Sequence, residues 1–361
     1  MAFYLTSNIS IGGYSNIKPN KVSWKTDVNS FIDSCMITLP RITHMINEFP
    51  DKTEDLGGTK IYQFKEGDKV SVSLGYNKRF EKRFEGFVRN VKMGIPVELE
   101  CEGYGYQLYD IIFNKTYSTV TVKQLLQDVT AGTDIVLSQE MADVPLKNVR
   151  FKNATGIQVL EYLKKECQLS VYFNFNELYV GTLYGKVQKK VPIRIGWNTV
   201  KDDDFQKRKV DKNVKIVVRE KDKKGAVTKT KSKLKKTDEE KERERIAREK
   251  KRQENAINRI TRKYDDQKEI KIKAGIPSKL VQEIVNRLQL KENYAGYEGS
   301  IQLFLEPYIN KGMVLQVDGG MFPEKSGDYF IESVSGEYGM SGGRQTAQLG
   351  FIWHDNSGTT S

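Results

Sequence analysis

The chain has 361 residues, 38% of them hydrophobic, which is enough for packed cores in about two domains. It has no apolar run of about 18 residues and no basic, then apolar, N-terminus, so we expect neither a membrane anchor nor a signal peptide. Three cysteines (Cys35, Cys101, Cys167) fit no zinc or disulfide spacing, and two histidines leave little material for a catalytic triad. The composition therefore disfavours an enzyme.

The first hundred residues are predicted to form short strands. Residues 70–74 alternate valine or leucine with serine, and residues 97–102 alternate apolar residues with glutamate, which is the period of a half-buried strand. Residues 84–91 are also strand-like, and glycine- and asparagine-containing turns separate these segments. Several strands at this spacing predict a first small antiparallel β-barrel domain over residues 1–112.

The pattern changes after residue 112. Apolar residues at helical spacing predict a helix over 121–129 that Gly132 ends, and a second amphipathic helix begins after residues 153–156. Residues 169–181 have the pattern of a hairpin that turns at 174–177. Residues 113–188 are therefore predicted to form a small α+β domain.

Strand patterns resume in the second half of the chain. They cover residues 191–195, 213–219, 269–273, 299–305, 313–317, 329–334 and 345–351. Ser278 is predicted to cap a helix near 278–290. We assign residues 189–220 together with 270–356 to a second β-barrel domain, interrupted by a charged, partly helical or disordered insertion over 221–269.

An internal repeat relates the two β-rich parts. Gly67 is followed by two alternating apolar residues and then by a strand that runs from an aromatic residue to valine, and the same order follows Gly312. The fold class is therefore predicted as α+β and mostly β, with two similar β-barrel domains around an intervening α+β domain. The residues expected in the barrel cores are Val70, Val72, Phe87, Val91, Leu315, Val317, Phe330 and Val334.

Positive charge is concentrated in one segment. Residues 221–271 hold 20 basic and 11 acidic side chains and so carry nine of the twelve net charges. Their apolar residues are too sparse for a coiled coil, and we interpret the segment as a solvated, partly helical excursion. An alternative is an arm that binds nucleic-acid phosphates. No aromatic residue interrupts the run before Tyr264, which disfavours base stacking, and we expect no specific nucleic acid.

Carboxylate clusters and one glycine motif are the features that most resemble chemical sites. Glu98, Glu100 and Glu102 project from one face of a strand, whereas glycoside hydrolysis needs two carboxylates across a gap. The aspartates at 202–204 lack the loop of a calcium site, and residues 103–106 lack the third glycine of a dinucleotide site. We predict no catalytic, cofactor or metal residues; a peptidoglycan-degrading tail hydrolase that uses the glutamates is the alternative.

An ordered set of segments resembles the baseplate hub proteins of contractile-tailed bacteriophages. This group includes the late control gene D family and the hub part of type VI secretion spike proteins. The segments are Phe84-Glu-Gly-Phe-Val88, Leu99-Glu-Cys-Glu-Gly-Tyr-Gly-Tyr-Gln-Leu108, the helix at 156–165, Leu178-Tyr-Val-Gly181, Gly299-Ser-Ile-Gln-Leu303, Ile309-Asn-Lys-Gly-Met313 and Tyr329-Phe-Ile-Glu-Ser-Val334. Their order and spacing carry the resemblance, which covers nearly all of the chain except 221–275.

The resemblance implies a structural protein and not an enzyme. Hubs of this family are homotrimers in which two barrels per chain form a pseudo-sixfold ring, and this ring adapts the hexameric tail tube to a trimeric spike. The implied partners are the tail tube protein, a separate trimeric spike protein and other baseplate proteins. The implied location is the virion tail baseplate, or a phage-like injection particle, assembled in the bacterial cytoplasm. The insertion at 221–275 departs from the family.

Overall fold

The fold is α+β and mostly β, as the sequence predicts. A computed structural model describes residues 4–40, 54–56, 59–61, 64–141, 143–182, 189–208, 214–221, 266–273 and 275–353. This part of the chain contains 22 strands and three α-helices. None of these helices has the length and apolarity that crossing a membrane requires.

Six strands form an antiparallel unit that we call β unit 1. They are β1 (Leu5–Ile11), β2 (Lys21–Asp27), β3 (Ser34–Leu39), β6 (Lys69–Tyr76), β7 (Arg79–Lys92) and β8 (Val97–Glu102). Their order across the sheet is β1-β6-β7-β8-β3-β2. The short strands β4 (Glu54–Leu56) and β5 (Thr59–Ile61) form a separate two-stranded sheet. The alternating apolar residues of β6 and β8 face the core of this unit.

The middle part of the chain combines two small sheets with two helices. Its elements are β9 (Ile112–Thr121), α1 (Val122–Val129), β10 (Val136–Leu137), β11 (Pro145–Thr155), α2 (Gly156–Lys165), β12 (Ser170–Asn174) and β13 (Glu177–Gly181). Both helices begin with a capping box, in which Thr121 or Thr155 accepts from the N–H of a glutamine three residues later. The two predicted helices and the hairpin that turns after Asn174 are confirmed.

The remaining elements form β unit 2, a separate two-stranded sheet and a third helix. They are β14 (Lys190–Arg194), β15 (Thr199–Lys201), β16 (Gln206–Lys207), β17 (Val214–Lys221), β18 (Asp266–Lys273), α3 (Ser278–Glu292), β19 (Tyr297–Phe304), β20 (Val314–Asp318), β21 (Gly327–Gly339) and β22 (Gly342–Ile352). β unit 2 comprises β14–β16 and β19–β22. Its order is β14-β20-β21-β22-β19 followed by β15 and β16, which both pair with β19.

The two β units are joined edge to edge, although the α+β part separates them in sequence. β2 pairs with β3 on one side and with β21 on the other, so that one 13-stranded sheet runs through both units. The described pairings leave each unit open between its first and last strand. One pair, β14 with β20, is parallel, so β unit 2 is not purely antiparallel as the sequence led us to expect.

Helix α3 differs from the prediction at its first turn. Pro277 and not Ser278 takes the N-cap position, and no side chain caps the helix. A proline fits there because its fixed φ and missing N–H cost nothing before the first helical turn. The apolar face of α3, with Ile284 fully buried, packs into the core of the middle part. The proposed domain boundaries stay a prediction.

Candidate assembly site: the junction between the β units

The turn that begins the repeat has the same hydrogen bonds in both units. In β unit 1 the N–H of Gly67 donates to the carbonyl of Val88, and the N–H of Val88 donates to the carbonyl of Asp68, both at 2.8 Å. β unit 2 repeats both bonds, at 3.0 and 2.9 Å, with Gly312, Ile331 and Met313. Both glycines have positive φ, 85° and 79°, which is why glycine stands at this point of each turn.

A β-bulge lies at the same place in the strand pair that follows. The register shifts between Val88 and Asn90 where β7 pairs with β8, and between Ile331 and Ser333 where β21 pairs with β22. The pairs after the bulge are Val91–Leu99 and Val334–Ala347. A bulge costs one ladder position and bends its strand, so its recurrence at the same position supports a duplicated unit. The two units also share their strand order.

A backbone ladder joins the units, and the indole of Trp24 packs directly on it. Residues 21–27 of β2 lie opposite 333–339 of β21, with Trp24 facing Gly336. A Cβ atom on Gly336 would come within 2.1 Å of the Trp24 ring, so only glycine allows this close approach. The phenol of Tyr76 adds a bond across the junction by donating to the carbonyl of Gly343 at 3.0 Å.

A buried guanidinium from β7 crosses into β unit 2. Arg83 is 3% exposed and donates to the side-chain oxygen of Gln345 at 2.8 Å and to the carbonyl of Leu305 at 2.5 Å. Its guanidinium lies 4.8 Å from the ring centre of Tyr308. Burial lowers the pKa of Arg83 to about 10, and the group stays charged at neutral pH. The forked donor therefore holds two segments of unit 2 against unit 1.

A buried ion pair forms a second polar contact between the units. The ammonium of Lys311, before β20, lies 2.5 Å from a carboxylate oxygen of Asp33, which precedes β3, and their side chains are 1% and 9% exposed. Lys311 also reaches the carbonyl of Asp27 at 3.5 Å. Burial raises the pKa of Asp33, and the charge and hydrogen bond of Lys311 offset part of that rise. Neither charge has bulk water to solvate it, so each depends on the other unit.

The eight residues expected in the barrel cores divide among several clusters. Those buried in the core of a β unit are Val70, Val72, Leu315, Val317 and Val334. Val91 is half-buried against the core of unit 1, and Phe87 packs into the core of the middle part. Phe330 stacks on Phe351 with ring centres 5.4 Å apart, in an aromatic cluster with Val28. Their role as barrel cores stays a prediction.

Glu100, in the middle of the three glutamates of β8, does not have the electrostatics of a general acid. Glu98, Glu100 and Glu102 lie on one strand face, half-buried. Hydrogen bonds from Lys92 and Asn90 lower the pKa of Glu100. A general acid for glycoside hydrolysis needs a raised pKa, because it must carry a proton at neutral pH.

The aspartates at 202–204 make polar contacts within the fold, and the three cysteines are buried free thiols. The partners of the three aspartates are, in order, Lys325, Lys201 and Ser300, at 2.8, 2.8 and 3.2 Å. No group of three or more His, Cys, Asp or Glu among the described residues is arranged to hold a metal ion. Cys35 and Cys101, distant in sequence, lie opposite each other in β3 and β8 as buried free thiols, and Cys167 is also buried. His44 and His354 lie outside the described residues.

The charged insertion is described only at its flanks. β17 and β18 form a parallel two-stranded ladder, from Val214 opposite Asp266 to Lys221 opposite Lys273. The strands that the sequence predicts on both sides of the insertion are therefore confirmed. The predicted helical or disordered insertion at 221–269 and the nucleic-acid arm at 221–271 fall mostly on residues 222–265, which lie outside the described part. At the ends of the insertion, residue 221 closes β17 and residues 266–269 belong to β18, so these described ends are strand.

The whole fold is similar to solved structures of phage tail proteins. A 43 kDa tail protein of prophage MuSo2 from Shewanella oneidensis has a TM-score of 0.59 at 11% identity, over 96% of this chain and 98% of that one. A tail protein from Neisseria meningitidis MC58 has a TM-score of 0.57 at 11% identity, over 98% and 97%. The resemblance found in the sequence is thus confirmed at the level of the fold.

A third similar structure belongs to a secretion system. The E. coli c3393 protein has a TM-score of 0.52 at 10% identity, over 96% of this chain and 77% of that one. It is described as a component of the type VI secretion system with structural similarity to the T4 bacteriophage tail proteins gp27 and gp5. No protein-family model and no curated protein sequence matches the chain.

Proposed function

We propose that this protein is a structural hub in the baseplate of a contractile phage tail or a related injection particle. It assembles as a homotrimer whose six β units form a pseudo-sixfold ring, and the ring adapts a hexameric tail tube to a separate trimeric spike. The mechanism is symmetry matching and involves no catalysis. Other baseplate proteins contact the outside of the ring, and the particle forms in the bacterial cytoplasm.

The observation that carries the proposal is the duplicated unit. Two units with one strand order, one glycine turn and one bulge position are joined by a continuous ladder and by buried charges. Three such chains present six similar units, so their ring can match the symmetry of a sixfold neighbour on one side and of a threefold neighbour on the other. The fold shared with tail proteins over nearly the full chain supports the same role.

The junction also has the properties that an adaptor needs. A ring that matches a sixfold neighbour to a threefold neighbour must keep the angle between its units constant. Arg83 and Lys311 are almost fully buried at the junction, and bending there would expose or unpair their charges. The hydrolase has less support, because a general acid needs a raised pKa and the pKa of Glu100 is lowered.

Multi-angle light scattering of the full-length protein tests the proposal. We expect a particle three times the 41.4 kDa chain mass, and averaged electron-microscope images that show a ring of six similar lobes. A monomer at all micromolar concentrations, or a ring without six similar lobes, would contradict the proposal. Cell-wall clearing by the protein that is lost when the three glutamates of β8 become glutamine would favour the hydrolase instead.

A further inference from the structure

The internal junction uses only half of the edges that the duplication creates. β2 is the last strand in the order across the sheet of unit 1, and it pairs with the edge of β21 that faces away from β22. In unit 2 the place of β2 is taken by β15 and β16, which pair only with β19 among the described strands. In unit 1 the place of β21 is taken by β7, whose residues 90–92 pair, within the part of the chain that the structure describes, with β8 alone. Among the described strands, one copy therefore has one joined pair of edges and one complementary pair that is open.

The correspondence between the units fixes the register of the open pair. Lys25 of β2 lies opposite Ser335 of β21 in the internal junction. The residue of β7 that matches Ser335, one position after the valine that follows the bulge, is Lys92. Lys25 lies opposite Ser34 of β3, and Gln206 lies opposite Glu298 of β19. Glu298 occupies on β19 the position that Ser34 occupies on β3, so Gln206 is the residue of unit 2 that matches Lys25. Gln206 is thus matched to Lys92.

Both open edges carry exposed apolar side chains beside the ladder positions. Met93 and Ile95, in the turn after Lys92, are 70% and 75% exposed. Trp197 and Val200, at the start of the other edge, are 82% and 40% exposed. Large apolar and aromatic side chains at this exposure are typical of protein interfaces. An unpaired strand edge is itself a template for another strand.

We propose that β16 of one copy pairs in antiparallel orientation with residues 90–92 of β7 in a second copy, with Gln206 opposite Lys92 of the partner subunit. This contact repeats the internal junction between chains, and it rests on the self-assembly in the proposed function. The two surfaces differ, so each copy offers one edge and accepts another. Such head-to-tail contacts close into a ring when the rotation between copies allows it.

Disulfide cross-linking of the full-length protein tests this register. Residues directly opposite in antiparallel strands have Cα atoms about 4.5–5.5 Å apart, which is within the span of a disulfide. We expect the chain with Lys92→Cys and Gln206→Cys to form covalent dimers and trimers with oxidised glutathione, which accepts the two electrons. A variant with only one of the two substitutions lacks half of the pair, so it should form no dimers or trimers linked through these positions. The native thiols are buried and interfere little.

Two control variants calibrate the experiment. Lys25→Cys with Ser335→Cys places the same pair at the internal junction and should close within one chain, with loss of two free thiols and no larger species. Lys92→Cys with Lys207→Cys is one residue out of register and should link poorly. An oligomer in light scattering without the Lys92–Gln206 link, while the internal control closes, would overturn this interface but leave the proposed function standing. A monomer in light scattering would overturn both.

Discussion

The buried ion pair between Lys311 and Asp33 gives the sharpest prediction about the junction. Replacing Lys311 with methionine preserves most of the side-chain volume but leaves the Asp33 carboxylate buried without its partner. Removing one partner of a buried pair costs about 3–5 kcal/mol. Lys21 and Glu337 form the matched control, because this pair also joins the units but its side chains are 56% and 62% exposed. Lys21→Met should cost less than about 1 kcal/mol.

The pH dependence of the Lys311→Met loss separates a charge effect from a packing effect. Without Lys311, only a backbone hydrogen bond at Asp27 still opposes burial, so the pKa of folded Asp33 rises further above its ordinary value of 3.8. For a carboxyl with a raised folded pKa, stability is complete below the unfolded pKa and is lost as pH rises through the folded pKa. The variant should therefore be destabilised most at about pH 7 and recover toward about pH 5 and below.

Urea unfolding followed by tryptophan fluorescence measures both effects, since Trp24 is 3% exposed at the junction. The double substitution Lys311→Met with Asp33→Leu removes both charges and should recover most of the lost free energy of unfolding. Three results would refute the reasoning: a loss below about 1 kcal/mol, no recovery in the double variant, or a loss that stays the same at about pH 5.

Three further predictions concern the two glycine turns, the Arg83 contact and the buried thiol of Cys101. Gly67→Ala and Gly312→Ala should each lower the free energy of unfolding by about 1–2 kcal/mol, because each glycine has positive φ; clearly unequal losses would contradict the equivalence of the two turns. Arg83→Lys keeps the charge but loses the forked donor, and should cost about 1.5–3 kcal/mol in the urea assay; an unchanged midpoint would be evidence against its role. Burial raises the pKa of Cys101 to about 12, so its thiol should react with a disulfide reagent at about pH 8 only after unfolding. Reaction of that thiol in the folded protein would contradict its burial.

The helices and most strands could be predicted because their signals are local. The helix at 156–165 follows Thr155, whose side chain caps it, and Gln158 in the first turn of the helix completes the capping box. The repeat was also visible, because Gly312 and the strand after it recur in the order found after Gly67. Patterns of this kind depend on a few neighbouring residues and are independent of the rest of the chain.

The junction itself has no such local signal. β2 pairs with a strand more than 300 residues away, and nothing in either segment distinguishes that partner from another exposed edge. Judged by residue type alone, Arg83, Lys311 and Asp33 would each be expected on the surface. One clue is present in β7, where the charged Arg83 directly precedes the apolar Phe84. The sequence does not reveal its partners, Gln345 and Leu305, which only the folded chain brings to it.

The internal junction and the proposed contact between chains differ in one respect that bears on assembly. At the internal junction, Gln345 accepts a hydrogen bond from Arg83, and Lys311 forms an ion pair with Asp33. All four side chains are buried. The residue at the place of Gln345 in unit 1 is Val97, which lies opposite Leu39 as Gln345 lies opposite Leu303. Likewise Glu66, just before the Gly67 turn, stands where Lys311 stands. The proposed contact between chains therefore lacks these buried polar links and relies on strand pairing and apolar side chains. If the proposal holds, we expect the internal junction to form before a second copy joins.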